Sequence, residues 1–191
     1  VDFSNARMYG ARQQSWTRWP TPVTDPTAEG VVDRVLADAD AVCDLSTFGD
    51  CQAADLNHVN LASRNLEFVN LARADLAGAD LTGADLTRAR MASATLTGAS
   101  LAGAQLDWAN LSRATLVGSD LAGANLAYAD LSKADLTGAD LTGADLAGAN
   151  LTQARLTGVR WEGVTADTDT QWPTGFRFTP PWSSITVVAA P

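Results

Sequence analysis

Lysine is nearly absent from this chain. Lys133 is the only one, and 22 acidic side chains outnumber 13 basic ones for a formal net charge of −9. A surface built to bind nucleic acid along its length needs the opposite balance, so no direct nucleic-acid binding is expected. An acidic balance by itself serves solubility. Histidine is as scarce: His58 stands alone, which removes any His-based metal cluster and leaves no Cys/His pair in a catalytic context. No run of 18 apolar residues exists, so no helical membrane span is expected. No phosphate-binding glycine loop occurs either. These absences point away from an enzyme and from any cofactor or metal.

Cysteine is limited to Cys43 and Cys51, eight residues apart, with no CxxC motif and no zinc-type spacing. Two such residues form a disulfide if the chain is exported and stay as free thiols if it is cytosolic. The chain starts at Val1 and not Met, as a trimmed chain would, and no signal peptide is visible. A secreted or cell-surface setting is slightly favoured over a cytoplasmic one.

What the sequence does have is a period. From about residue 49 to about 166, Leu recurs every five residues: 56, 61, 66, 71 and onward to Leu156, with Met91 in one place and Trp161 at the end. Two positions before each stands a small residue, such as Ala74, Ala79, Ala84 or Ala154; Arg64 is the clear exception. Between them sits a polar residue, often Asp or Asn. A period of five fits neither a helix nor a flat strand. It suits a chain that turns a corner every five residues, with Leu and the small residue inward. One coil of four such units cannot stand alone. Its four leucines gain about 1.5–3 kcal/mol each, against about 1–2 kcal/mol of backbone entropy for each of its residues. Stacked coils share a core and inter-coil hydrogen bonds.

The units "ADLTG", "ADLAG" and "ANLTQ" match an A(D/N)LxX pattern, and the chain resembles the pentapeptide-repeat proteins over its periodic stretch. The resemblance implies an all-β fold: a right-handed quadrilateral β-helix, here of about six coils. Four segments are expected: residues 1–14, a short repeat-like piece; 15–48, a linker and N-terminal capping helix at about 25–42; 49–166, the solenoid; and 167–191, a C-terminal cap with an irregular tail. Asp25 suits the helix N-cap, Pro26 its first turn, and Val31, Val32, Val35, Leu36 and Ala39 form an apolar stripe. In the tail, "TDTQWPTGF" resembles the family's closing segment, and "SSITVV" could add a strand.

Residues 20 apart should stack. The last residue of each unit then sorts into four columns. Two are glycine: 78, 98, 118, 138, 158 and 83, 103, 123, 143, 163. One carries Phe68, Arg88, Trp108 and Tyr128, a candidate partner-binding stripe, followed by Gly148. One carries Arg73, Arg113 and Lys133, a candidate basic column. Asp80, Asp120, Asp135 and Asp140 form a candidate acidic surface on the flat faces.

The resulting expectation is a non-enzymatic scaffold, a rigid solenoid for self-assembly or for binding a protein partner. The resemblance also implies an alternative, a DNA mimic that binds gyrase or another topoisomerase. Residues 50–166 hold 13 acidic and 8 basic side chains, a net of −5, whereas duplex DNA carries about 17 charges over the ~29 Å that six coils span. A third reading, a flat face that binds ice or a polysaccharide, rests on Thr97, Thr137 and Thr157 falling in one column.

Overall fold

The computed structural model describes residues 36–37, 41–177 and 185–188. The chain divides into a unit Val1–Asp33, which lies outside the described residues together with the expected repeat-like piece, and a unit Arg34–Pro191. From Asp50 onward the second unit is a β-solenoid. Its backbone bridges are all parallel and, up to Asp145↔Thr165, join residues 20 apart, as in Asp50↔Asn70, Asp55↔Asp75, Asn60↔Asp80 and Asn65↔Asp85. Four bridges per 20 residues make a four-sided coil, as the period of five predicts.

Each unit makes the same bonds. The Leu56 N–H donates to the Asp75 carbonyl at 2.7 Å, and the His58 N–H to the Ala77 carbonyl at 2.9 Å. The Asp75 N–H donates back to the Ala54 carbonyl at 2.8 Å. A turn bond closes each corner, Val59 N–H to the Leu56 carbonyl at 3.3 Å. Nearly every backbone polar group of the coil is thereby paired, as burial demands. The leucines from Leu56 to Leu151 are buried with Met91 among them, and the alanines two residues earlier complete the core. Ser119 occupies one of these small positions and meets its polar need locally, donating to the Leu116 carbonyl at 2.9 Å.

The N-terminal side corrects one expectation. Where the capping helix was to end, β1 (Leu36–Ala37) pairs antiparallel with β2 (Ala41–Val42), in register Leu36↔Val42 and Ala37↔Ala41. Helix propensity over so short a stretch is a weak prior, and pairing with a neighbouring segment overrides it. Residues 25–35 of the expected helix lie outside the described residues. Immediately after β2, Cys43 is bonded to Cys51, which ties the approach to the first coil. Gly49 is obligatory there, because a Cβ would stand 1.9 Å from the Asp44 carbonyl oxygen.

At the other end the tail is partly regular. β3 (Val164–Asp167) pairs parallel with β4 (Ile185–Val188), in register from Val164↔Ile185 to Asp167↔Val188. The apolar run in "SSITVV" thus supplies a strand. One residue has been added to the spacing: Asp145↔Thr165 is the last bridge at 20, and Asn150↔Gln171 spans 21. Asp167 manages the extra residue. Its Oδ1 accepts the N–H groups of Gly148 at 2.8 Å, Asp169 at 3.0 Å and Thr170 at 2.9 Å. The Gly148 bond replaces a regular inter-coil backbone bond. These donors hold the Asp167 carboxyl below the usual carboxylate range, the Gly148 N–H foremost, against the opposing effect of burial. Beyond it the Trp172 and Phe176 rings stack at 5.3 Å, with Trp161 edge-on to Trp172 at 5.9 Å.

Candidate interaction surface

All four corners of the coil use the left-handed backbone region. The glycines there have φ from 63° to 72°, and the non-glycine corner residues have φ from 54° to 62°. A side chain in this region costs about 1–2 kcal/mol relative to ordinary backbone. The turn therefore favours glycine at every corner, yet glycine is concentrated in two columns, with Gly148 alone in a third. Packing does not explain the concentration: a Cβ added at Gly98, Gly103, Gly118, Gly123 or Gly138 would meet nothing within 4 Å. The other two columns keep Arg, Trp, Tyr and Lys in a backbone conformation that glycine would occupy at lower cost. Such strain held at a surface is a pointer to function.

The stripe column is longer than the sequence expectation had it. Phe48 belongs to it, stacked on Phe68 with ring centroids 4.5 Å apart and planes 6° from parallel. The Arg88 guanidinium carbon lies 5.6 Å above the Phe68 ring, and Trp108 stacks on Tyr128 at 4.5 Å. Tyr128 in turn lies over Gly148, where a Cβ would come within 2.5 Å of its ring. The column thus contains two stacks, Phe48–Phe68–Arg88 and Trp108–Tyr128–Gly148. Phe48, Trp108 and Tyr128 are exposed. Phe48 was legible: it precedes Phe68 by one coil length, just before the recognised repeat.

Arg73, Arg113 and Lys133 stand at the next corner, with φ of 62°, 61° and 62°, and are exposed. The acidic candidates do not form a single face. Asp80, Asp120 and Asp140 share one bridge column with Ser100 and Arg160, while Asp135 lies in a separate column between Thr115 and Arg155. These carboxylates also have a local task. Asp80 Oδ1 accepts the Thr82 N–H at 3.0 Å, Asp120 that of Ala122 at 3.0 Å, Asp135 that of Thr137 at 3.0 Å and Asp140 that of Thr142 at 2.9 Å. The Thr82, Thr137 and Thr142 hydroxyls hold the Asp80, Asp135 and Asp140 carboxyls below the usual range, with the matching backbone N–H groups adding to the effect. Asp135 and Asp140 further pair with Arg155 at 3.1 Å and Arg160 at 2.8 Å, each one coil away. The Thr97, Thr137 and Thr157 column is real, but the Thr137 hydroxyl is spent on Asp135 Oδ1 at 2.5 Å.

Corner residues share a side with the bridge residues that follow them: Phe48, Phe68 and Arg88 line one groove with Asp50, Asn70 and Arg90. Among the described residues no group of three or more His, Cys, Asp or Glu side chains is placed to hold a metal, and no helix is long and apolar enough to cross a membrane.

The same repeat is found in solved relatives. The chain is similar to alr5209, a pentapeptide repeat protein from Nostoc PCC 7120, at 39% identity over 55% of this chain and 84% of that one, with a TM-score of 0.52. It is similar to the pentapeptide repeat protein AT2G44920 from the Arabidopsis thaliana thylakoid lumen, at 30% identity over 53% and 70% of the two chains, with a TM-score of 0.52. HetL, a pentapeptide repeat protein involved in heterocyst differentiation regulation in Nostoc sp. PCC 7120, matches at 32% identity over 63% of this chain and 66% of that one, just under two thirds, with a TM-score of 0.45. Among curated proteins none matches the sequence. The family model of pentapeptide repeats matches residues 54–98, 89–126, 104–143 and 119–158, more than half of the chain, and the protein belongs to the pentapeptide-repeat family.

Proposed function

We propose that this chain is a non-enzymatic scaffold, a rigid rod whose sides serve self-assembly or the binding of a protein partner. One observation carries the reading. Every corner has a similar left-handed φ, and yet from Gly78 to Gly163 glycine fills two columns while non-glycine side chains, Gly148 apart, fill the other two, a sorting that the coil itself does not require. Two smooth sides and two decorated sides are what a directional contact surface needs. An oxidising compartment forms part of the proposal, since the Cys43–Cys51 disulfide persists there. Light scattering over a wide concentration range tests it, with immobilised full chain offered to host proteins. The reading expects a concentration-dependent assembly or a retained partner, lost when Gly98, Gly118 and Gly138 are changed to Arg or when Trp108 and Tyr128 are changed to Ala. A monomer at all concentrations that retains nothing overturns it.

A second reading, a topoisomerase-binding DNA mimic, draws on the aligned Asp80, Asp120 and Asp140. It expects inhibition of gyrase supercoiling that reversal of these three charges abolishes; unaltered supercoiling removes it. The net of −5 across residues 50–166 makes it the weaker of the two.

A further inference from the structure

One coil breaks the local rules twice at neighbouring surface positions. Arg88 holds a left-handed φ of 57° at a corner where glycine would be relaxed. Arg90 occupies a bridge column in which every other member before the closing Gln171 is Asp or Asn, at Asp50, Asn70, Asn110, Asp130 and Asn150. Each of those five uses its Oδ1 to accept the N–H two residues on, at 3.0–3.3 Å. Arginine has no acceptor and gives that turn bond up. Arg88 recovers part of its cost over the Phe68 ring, but Arg90 has no such return, and a departure from local consistency without one points to function.

Together the two arginines border a groove of about 340 Å³, completed by Phe48, Phe68, Asp50 and Asn70. No ion pair joins Arg88 or Arg90 to a carboxylate among the described residues, unlike Arg155 and Arg160. The carboxylate inside the groove is already engaged: Asp50 Oδ1 accepts Asn70 Nδ2 at 2.9 Å and the Gln52 N–H at 3.2 Å. Phe48 and Phe68 spend their facing surfaces on each other, and Arg88 covers the other face of Phe68. With both faces covered, Phe68 has its edge left to offer, which carries partial positive charge. The two guanidinium groups outweigh the Asp50 carboxylate, so the groove is locally positive beside an apolar wall, on a chain of net charge −9.

We propose that the groove binds an acidic segment of a protein partner. Arg88 and Arg90 take a carboxylate, and the edges of Phe48 and Phe68 cover the apolar residue beside it. Guanidinium groups suit planar oxyanions and form charge-assisted hydrogen bonds with them. A nucleic acid fits less well, because its continuous charge would lie along an acidic solenoid, whereas an isolated carboxylate on an apolar stem need not. The inference rests on the protein-binding reading of the rod and deepens it.

Fluorescence anisotropy with the full chain tests it, using a fluorescein-labelled peptide of alternating glutamate and phenylalanine. The wild-type chain binds saturably. Arg88→Gln with Arg90→Gln weakens binding at least tenfold, while Lys133→Gln, at another corner, leaves it unchanged. A peptide with glutamine in place of glutamate does not bind. No saturable binding by the wild-type chain, or equal binding by the double variant, overturns the groove assignment. Tighter competition by a single-stranded oligonucleotide of matched charge overturns the peptide as ligand. In each of these cases the scaffold reading stands or falls separately, on light scattering.

Discussion

Gly118 and Arg113 sit at successive corners of the same coil, with φ of 64° and 61°. Their backbones are nearly interchangeable, and their inter-coil bonds match: Gly118 N–H to the Thr137 carbonyl at 2.9 Å, Arg113 N–H to the Ser132 carbonyl at 2.9 Å. The difference lies only outside the backbone. On the glycine sides, after His58 and Ser63, the residue that costs least stands at each corner from Gly78 onward, and there the surface is smooth. On the other sides Phe, Trp, Tyr, Arg and Lys stand in its place, repaid in part by stacking. The comparison teaches that the solenoid fixes where side chains are displayed and leaves open which ones. Identity at the corners is therefore the place to look for what this rod does.

The largest test asks whether the interior ignores that difference. Leu111→Ala lies behind a decorated side and Leu121→Ala behind a glycine side, both fully buried. Each should cost about 2–5 kcal/mol in denaturant unfolding, with no systematic gap between them; a large gap would mean the sides differ inside as well as out. Next comes Gly148→Ala, where left-handed backbone and a Cβ within 2.5 Å of the Tyr128 ring act together. It should lose about 2–3 kcal/mol, and Tyr128→Ala in the same chain should recover part of it. Gly118→Ala has the backbone penalty alone and should lose about 1–2 kcal/mol. The converse, Lys133→Gly, removes a strained corner and should be neutral or stabilising by up to about 1 kcal/mol; a clear loss would show that lysine contributes contacts beyond its backbone.

The smallest effect concerns acid. The Asp80, Asp135 and Asp140 carboxyls are held below the ordinary carboxylate range in the fold, with the Thr82, Thr137 and Thr142 hydroxyls as the first cause. A depressed carboxyl contributes stability that is present above its unfolded pKa and is lost as pH falls through the folded one. The loss thus belongs below the ordinary carboxylate range, on both kinds of side. Thr142→Val should move the Asp140 titration upward in carboxyl NMR. An unmoved titration would assign the shift to the backbone N–H and to Arg160 instead.

Much of this was legible in the sequence because a solenoid repeats its physics. Leucine every five residues gives the corner, and glycine sorting at 20 gives four sides, with no long-range information needed. What escaped the period escaped the reading. Leu36 belongs to an apolar stripe that scans as helix, but at Leu36–Ala37 pairing with Ala41–Val42 decides otherwise. Asp167 follows the last regular unit, so nothing in the lattice marks it as the acceptor of three backbone N–H groups. Arg90 looks like one variant among many until the hydrogen bonds of its column show what arginine gives up. Asp135 was grouped with Asp80, Asp120 and Asp140 by type, whereas the bridges separate it by position.

The single added residue between Thr165 and Gln171 has a consequence for size. Upstream of it every coil is a module of fixed length, and a 20-residue unit inserted there would meet the same neighbours above and below. Downstream, the register has slipped by one: a unit cut to the old length would present its leucine where a bridge residue belongs. The rod is therefore extensible at any coil before the slip, and the slip acts as punctuation that closes the count. Duplicating residues 99–118 should lengthen the rod by one rise, about 4.8 Å, and leave the Asp167 closure and the Trp161–Trp172–Phe176 cluster as they are.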